Sequence, residues 1–416
     1  MEKFNKTIRL AANQEISDLH FMPEQPLVFR KNGIIYFDPK NKWPQDQIME
    51  LCGELMSQIQ KEALSERKSV DFAVTLMGIR IRVNIFYTTT GISLAIRLLP
   101  GKIPSINDLN LHPSLQEMCK TSSGLFLICG ATGSGKSTTI AAMVEEINRT
   151  RPAHIITIED PVEYRYSAKK ALIAQRELGT HVPSYERGLL DVLREDPDVI
   201  VIGELREMET IRLTLHAAES GHLVIASLHA STFEDAIHRI CNSFPADGQD
   251  SVRGQLSSTL ELAVIQQLVY YKRTGFRIPI LSILRSSQSI KGLIRENKLA
   301  QLESAVQTSK GKGMFTAEAY EKEFIETRAS FVPPSKSFRP SKMGQPEAAS
   351  PVEKQSQEGI KIAVEEPVSV YGEAAQPPEV QPVESSKPAQ PGISYIIDEQ
   401  SSMDQLIKEI KQSGMY

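Results

Sequence analysis

The 416-residue chain is 41% apolar and carries a formal charge of -4, from 47 Lys and Arg against 51 Asp and Glu. This length predicts two or three domains with at least one large core, and the balanced charge gives no general attraction to nucleic acid or anionic lipid. Four cysteines without a CxxC pair argue against a zinc site or a disulfide framework, and no apolar run approaches the roughly 18 residues of a membrane span, so we expect a cytoplasmic protein.

The N-terminal region, residues 1–98, alternates helix-like and strand-like patterns and is predicted to be a small α/β domain. Its apolar–polar run from Val70 to Phe86 predicts two short strands that turn at Met77–Gly78. A stretch with two prolines and a glycine follows this region. We predict that residues 99–112 form a linker.

A second region, predicted to span residues 113–324, alternates short apolar runs with longer amphipathic ones. This alternation is typical of an α/β domain built around a mostly parallel sheet. One of its amphipathic runs predicts a helix from Thr138 to Arg149. The predicted buried strands are residues 125–129, 155–158, 199–202 and 223–227.

The C-terminal region differs in composition from the rest of the chain. Residues 325 to 395 contain 11 of the 24 prolines, with many Glu, Ser, Gln and Ala. Such a composition buries too little apolar surface to offset its ordering entropy, so we predict a disordered tail over residues 325–400. Apolar residues at helical spacing behind a Ser402–Gln405 capping box predict a short amphipathic helix at 401–413. This helix is either a docking peptide or a transient helix without a partner.

The segment from Gly130 to Ser137 matches the phosphate-binding (Walker A) pattern G-x-x-x-x-G-K-[ST] at every fixed position, between an apolar strand and an amphipathic helix. Its glycines let backbone N–H groups surround phosphate oxygens, and the helix N-terminus adds the positive end of its dipole. Lys136 is expected to reach the β and γ phosphates of ATP, and Ser137 to bind Mg²⁺. The predicted ATP-binding residues of this loop are Gly130, Ala131, Thr132, Gly133, Ser134, Gly135, Lys136, Ser137 and Thr138.

Three later segments carry groups that would position an attacking water or hold the metal. Glu159 and Glu163 follow the end of a predicted strand. Glu204 follows an apolar strand that ends in glycine, which is the Walker B arrangement, and is our first choice for the catalytic or metal-binding carboxylate. His222 and His229 stand at the two ends of a further strand, and His229 is placed to sense the γ-phosphate.

Each of these groups also has a simpler explanation. Carboxylates at strand ends are often solvated or cap a helix, and His222, at a strand entrance, is equally explained as a packing or interface histidine. Their occurrence on successive strands of one predicted sheet favours a catalytic function. The predicted catalytic set is Glu204, Glu159, His229, Glu163 and His222, with Ser137 and Glu204 holding Mg²⁺.

These motifs resemble those of the secretion and pilus ATPase superfamily (GspE/PulE-like), and within it the PilT-type pilus retraction ATPases or a PilU-like paralogue. The resemblance covers roughly residues 1–324. The matching segments are residues 17–20, 80–84, 95–97, 130–137, 157–163, 193–198 and 221–229.

The resemblance implies a PAS-like α/β N-terminal domain, a flexible linker and a RecA-like P-loop ATPase domain in a homo-hexameric ring. In such rings the nucleotide lies between the two domains and arginines of the first domain help to bind phosphate. Carried over by position, these arginines are Arg80, Arg82 and Arg97. Alternation along the strand places Arg80 and Arg82 on one face, where the simpler explanation is a solvated strand surface.

The implied activity is ATP hydrolysis coupled to mechanical work in twitching motility. The implied partners are an inner-membrane pilus platform protein and, optionally, a paralogous ATPase, with no nucleic acid expected. The lack of a CxxC zinc insertion and the segment Ser289–Glu296, which resembles a helix of retraction ATPases, favour retraction. Departures at 203–207, 227–231 and 89–91 indicate a divergent paralogue.

Three alternatives remain open at this stage. The first is a related type II/IV secretion or pilus assembly ATPase. The second is an accessory ring subunit that binds nucleotide but hydrolyses little, which the presence of Lys136, Glu159, Glu204 and His229 argues against. The third is a RecA-like nucleic-acid translocase, for which no basic channel or aromatic stacking segment stands out.

Overall fold

The computed structural model describes residues 1–14, 16–31, 34–99, 101–309 and 313–334. Of the predicted tail at 325–400, residues 325–334 belong to the described structure, whereas residues 335–400 and the predicted helix 401–413 lie outside the described residues. Within the described residues, the chain forms a six-stranded sheet and a seven-stranded sheet with helices packed on them, so its fold class is mixed α/β, as predicted.

The N-terminal sheet is antiparallel throughout. Its region contains α1 (Glu2–Asn13), β1 (Ile16–Phe21), β2 (Pro26–Lys31), β3 (Ile34–Lys42), α2 (Gln45–Leu55), α3 (Gln58–Arg67), β4 (Ser69–Leu76), β5 (Ile79–Thr88) and β6 (Gly91–Leu98). The strand order is β3-β2-β1-β6-β5-β4, so β3 and β4 are its edges. The two strands predicted around Met77–Gly78 are confirmed as β4 and β5. Apolar residues of the helices, such as Phe4 and Ile48, pack on inward-facing strand residues to form one core.

The second sheet is mostly parallel. Its region contains α4 (Ser114–Met118), β7 (Gly124–Cys129), α5 (Lys136–Thr150), β8 (His154–Glu159), β9 (Leu172–Glu177), α6 (Tyr185–Val192), β10 (Val199–Ile202), α7 (Met208–Glu219), β11 (Leu223–Leu228), α8 (Phe233–Asn242), α9 (Gln249–Thr259), β12 (Leu260–Tyr271), β13 (Phe276–Arg285), α10 (Gln288–Arg295), α11 (Leu302–Thr308) and α12 (Ala317–Tyr320). The order is β13-β12-β7-β11-β10-β8-β9, with β13 antiparallel to β12. The four predicted strands are confirmed as β7, β8, β10 and β11, and the predicted helix as α5.

Helices cover both faces of this second sheet. Every residue of β7, β10 and β11 is buried, because one apolar cluster fills each side. Since β7, β11, β10 and β8 are neighbouring parallel strands, their carboxyl ends meet at one edge. This edge positions the residues that follow each strand. No helix of the described residues has the length and apolarity to cross a membrane.

Candidate functional site

The phosphate-binding loop follows β7 at the carboxyl edge of the second sheet, and its glycines are sterically required. Gly135 has φ of +91°, and a Cβ there would lie 2.8 Å from Gln266 Nε2. A Cβ on Gly130 would lie 2.5 Å from both the Gln266 carbonyl oxygen and Ser134 Oγ. A side chain at either position would displace the loop from β12, so the sequence can close this turn only with glycine.

Gln266 fixes the loop from the neighbouring strand and was missed by the sequence analysis. Its Nε2 donates to the Ser134 carbonyl at 2.7 Å, and its Oε1 accepts from Thr139 Oγ1 at 2.7 Å. The side chain is 2% exposed. The sequence carried one sign of this role, the polar pair Gln266–Gln267 inside an otherwise apolar strand. A buried polar side chain needs hydrogen-bond partners, so such a pair indicates a specific contact.

Lys136 begins α5 and points back into the loop. Its Nζ donates to the carbonyl oxygens of Gly130 at 2.8 Å and Ala131 at 3.1 Å. Burial lowers the pKa of Lys136, whereas the nearby Glu204 raises it. Within the described residues Lys136 forms no ion pair, and the buried Ser134 Oγ has no hydrogen-bond partner. An ammonium held only by carbonyls, beside a helix N-terminus, fits a phosphate-containing ligand.

The other predicted loop residues lie in the turn and at the start of α5. Thr138 Oγ1 is hydrogen-bonded to the Tyr164 hydroxyl at 3.0 Å. Ala131, Thr132, Gly133 and Ser137 are exposed, which leaves them accessible to a ligand.

Glu204 and His229 meet at the same edge, because they follow the adjacent strands β10 and β11. His229 Nε2 lies 3.4 Å from Glu204 Oε1, and Arg206 Nη2 lies 2.6 Å from Glu204 Oε2. Partial burial raises the pKa of Glu204, but the Arg206 hydrogen bond and charge, with His229 and Lys136, lower it overall. Glu204 is therefore an ionised carboxylate directed toward the loop lysine.

Glu159 ends β8 and lies in a different environment. Its Oε1 accepts hydrogen bonds from Thr157 Oγ1 at 2.7 Å and Gln175 Nε2 at 3.2 Å. Burial is the main cause that raises the pKa of Glu159, the hydrogen bonds from Thr157 and Gln175 partly oppose it, and the net pKa is about 7. Glu159 and Glu204 are thus two carboxyl groups of opposite pKa shift at one sheet edge, an arrangement common in catalytic sites.

This raised pKa predicts a pH-dependent stability. A carboxyl group whose folded pKa exceeds its unfolded value binds extra protons when folded, so the free energy of unfolding falls as pH rises from about 4.5 to about 7. Glu159→Gln should remove this slope. Relative to wild type, the variant should gain up to about 3 kcal/mol between pH 5 and pH 8 in urea unfolding. A constant difference between the two proteins across this range would contradict the assignment.

The three predicted arginines fall in three environments. Arg80 is buried, and its Nη2 donates to the Val162 carbonyl at 3.0 Å and to Glu177 Oε2 at 3.4 Å. Arg82 pairs with Asp71 at 2.5 Å within the N-terminal sheet and lies 3.8 Å from Glu163. Arg80 and Arg82 therefore link the N-terminal sheet to the segments after β8 and in β9, rather than lining a solvated strand face.

Arg97 differs from the other two arginines. Its side chain is 64% exposed and its Nε lies 2.8 Å from Asp18 Oδ1, on β1. This ion pair joins two strands of the N-terminal sheet. The contacts of Arg97 among the described residues do not reach the phosphate-binding loop.

We expect Arg80→Ala to destabilise the protein, because Glu177 would remain buried without its cation. The loss should be on the order of 3 kcal/mol in the free energy of unfolding. Arg97→Ala is the matched control and should cost about 0.5 kcal/mol or less, since the Arg97 side chain is exposed and Asp18 keeps a hydrogen bond from Ser17 Oγ. Urea unfolding of the two variants checks this, and equal free energies would contradict the buried contact.

His222 lies at the opposite edge of the second sheet from the loop. Its ring Nδ1 is hydrogen-bonded to the Ala217 carbonyl at 2.9 Å, and its own carbonyl accepts from the Gly124 N–H where β7 begins. The structure therefore does not bring His222 together with Glu204 and His229. In the described part of the chain, no three His, Cys, Asp or Glu side chains form a cluster that could hold a metal ion.

The chain combines a phosphate-binding loop on a mostly parallel sheet with an antiparallel N-terminal sheet, and comparison with known proteins identifies its family. A protein-family model described as "Type II/IV secretion system protein" matches residues 1–315. This chain belongs to the type II/IV secretion system protein family. The family membership expected from the motifs is thereby confirmed.

Several members of this family are similar over most of the chain. The uncharacterized protein YggR of Escherichia coli is 43% identical over 310 residues, which cover 74% of this chain and 94% of YggR. In Pseudomonas aeruginosa, the type IV pilus retraction ATPase PilT is 37% identical over 312 residues, covering 75% of this chain and 90% of PilT. The type IV pilus ATPase PilU of the same organism is 35% identical over 315 residues, covering 76% and 82%.

The chain is also similar to a solved structure of a pilus ATPase. The crystal structure of the pilus retraction motor PilT with bound ADP is similar at 38% identity with a TM-score of 0.68, covering 76% of this chain and 96% of that chain. The chain is therefore a nucleotide-binding ATPase of the pilus and secretion family, and it is similar to PilT in both sequence and structure.

Proposed function

We propose that this ATPase powers retraction of type IV pili, as a homo-hexameric ring at the cytoplasmic face of the inner membrane. The observation that carries the proposal is the meeting of Lys136, Glu204 and His229 at one sheet edge, next to a segment that Arg80 and Arg82 join to the N-terminal sheet. Similarity to PilT over 312 residues supports retraction as the direction of work.

The residues of the proposed site bind phosphate, hold the metal ion or orient the attacking water. Lys136 and the backbone N–H groups of the loop bind the phosphates of ATP. Ser137 and Glu204 would hold Mg²⁺ together with phosphate oxygens, a small protein ligand set of the kind that this ion accepts. Bound magnesium would neutralise charge on the phosphates. Glu204, or Glu159 as the second candidate, orients the attacking water, and His229 contacts the γ-phosphate end through its position beside Glu204.

The arginine contacts suggest how hydrolysis would be coupled to movement. Glu159, Val162 and Glu163 belong to one short segment that begins at the catalytic edge. Arg80 contacts the Val162 carbonyl and Arg82 approaches Glu163. A shift of this segment between nucleotide states would therefore act on the N-terminal sheet through two arginines.

An exposed apolar edge supports assembly with further copies of the chain. Strand β3 forms one edge of the N-terminal sheet, and its residues Ile34, Ile35, Tyr36 and Phe37 are 42% to 67% exposed. Unprotected apolar edge strands are normally covered by a partner. We assign this strand to the contact between neighbouring subunits, and we expect an inner-membrane platform protein as a further partner.

A deletion strain tests the direction of work. Loss of retraction predicts cells with excess surface pili that do not twitch, and complementation with the wild-type chain restores movement. Absence of pili would instead indicate the alternative, a pilus assembly or secretion ATPase. Unchanged piliation and movement would indicate an accessory, PilU-like role or a different machine.

A further inference from the structure

A small cavity lies beside the first turn of α5, on the side away from the catalytic carboxylates. Its volume is about 230 Å³, and it is lined there by Gly135, Thr138 and Thr139. This is smaller than the roughly 300–1,000 Å³ of sites that enclose a drug-sized ligand, so it suits a single ring system. The apolar part of its wall comes from Leu109, Leu111, Leu268, Pro279, Val332 and Pro334.

Two of these wall residues come from the chain beyond the family match, which ends at residue 315. Two hydrogen bonds connect the backbone of Val332 to the side chain of Asn110. Asn110 Nδ2 donates to the Val332 carbonyl at 2.9 Å, and the Val332 N–H donates to Asn110 Oδ1 at 2.9 Å. Asn110 is 4% exposed, so this pair is shielded from water.

A second set of contacts fixes the chain just before Val332. Arg273 Nη2 donates to the Ile325 carbonyl at 3.1 Å, and its guanidinium lies 5.4 Å from the centre of the Phe331 ring. Arg328 approaches the same ring at 5.4 Å. The segment from Ile325 to Pro334 is therefore a strap seated against the cavity rather than a free end.

The cavity's position defines which part of a nucleotide it would receive. In the proposed site, Lys136 and Glu204 lie at the γ-phosphate end of the nucleotide. The cavity lies elsewhere, since its lining does not include Glu159, Glu204 or His229. Thr138 and Thr139, one turn into the helix, do line it. The base and sugar of a nucleotide bound by the loop must extend away from the carboxylates, toward this cavity.

We propose that Val332 and Pro334 form one wall of the nucleobase site, so that the strap takes part in binding the adenine base of ATP. The inference rests on nucleotide binding at the loop described above. Apolar walls bind the faces of a flat aromatic base, and Arg277, at the exposed rim, carries a guanidinium able to stack on it.

The test compares ATP with inorganic tripolyphosphate, which has the phosphates but no base. Binding to the full-length protein is measured by calorimetry for wild type and for the double variant Val332→Ala, Pro334→Ala. We expect ATP affinity to fall about tenfold, because the double variant removes four methyl-sized groups that a bound base would only partly cover, and tripolyphosphate affinity to change less than twofold. Pro333→Ala is the matched control, because Pro333 does not line the cavity.

The possible outcomes distinguish base binding by the strap from nucleotide binding by the site as a whole. Unchanged ATP affinity in the double variant would overturn the proposal. An equal loss for ATP and tripolyphosphate would also overturn it, because the strap would then act on the phosphate loop. Failure of the wild-type protein to bind ATP would instead contradict the nucleotide site itself, and with it the proposed function.

Discussion

Replacing Glu204 by Gln should leave ATP binding close to that of wild type and slow hydrolysis by about 10³-fold. The amide keeps the shape of the side chain but removes the negative charge that Arg206, His229 and Lys136 stabilise. It can no longer orient a water molecule or hold a metal ion with the same strength. Calorimetry for the dissociation constant and phosphate release for turnover measure the two parts separately.

The matched control for this variant is Glu207→Gln. Glu207 is exposed and only three residues away, and we expect its variant to hydrolyse ATP within about twofold of wild type. If the turnover of Glu204→Gln stayed within about threefold of wild type, a change of only roughly 0.6 kcal/mol in activation free energy, Glu159 would become the better candidate for the catalytic carboxylate.

Replacing Lys136 by Ala should weaken ATP binding by at least about 100-fold, since charge-assisted hydrogen bonds to two phosphates would be lost. The carbonyl partners of Lys136 in the loop, Gly130 and Ala131, cannot substitute for it because they repel anions. The dissociation constant is measured by calorimetry, with a thermal melt to show that the protein is folded.

Lys170→Ala is the control for a simple loss of positive charge. Lys170 is exposed, and in the described part of the chain its Nζ contacts the Thr150 carbonyl at the end of α5, at 3.4 Å, rather than the phosphate-binding loop. Its variant should bind ATP like wild type. If Lys136→Ala bound ATP with wild-type affinity, the loop would not be the phosphate site.

Much of this site could be predicted from the sequence because its signals are local. The loop from Gly130 to Ser137 is a continuous motif between a strand and a helix. Glu159, Glu204 and His229 each follow an apolar run, and parallel strands bring such positions to one edge whatever their order in the sheet. The pattern therefore predicted that these three residues lie at one edge of the sheet, although it did not predict the order of the strands.

The contacts that depend on distant pairing could not be predicted in the same way. Gln266 reaches the loop because β12 lies next to β7, which the local pattern around it does not reveal. Arg80 was expected on a solvated or phosphate-binding face, yet it is buried against Glu177, a residue 97 positions later in the chain. His222 was placed at the entrance of its strand, and the structure puts it before the amino end of β11, away from the loop.

Steady-state phosphate release by the purified full-length protein, with ATP and magnesium and with or without single-stranded DNA, distinguishes a pilus motor from the other classes of protein. The pilus-motor assignment predicts measurable turnover that DNA does not change, because the work is done on a protein fibre. Absence of turnover would contradict it in favour of a nucleotide-binding ring subunit, and stimulation by DNA would contradict it in favour of a nucleic-acid translocase.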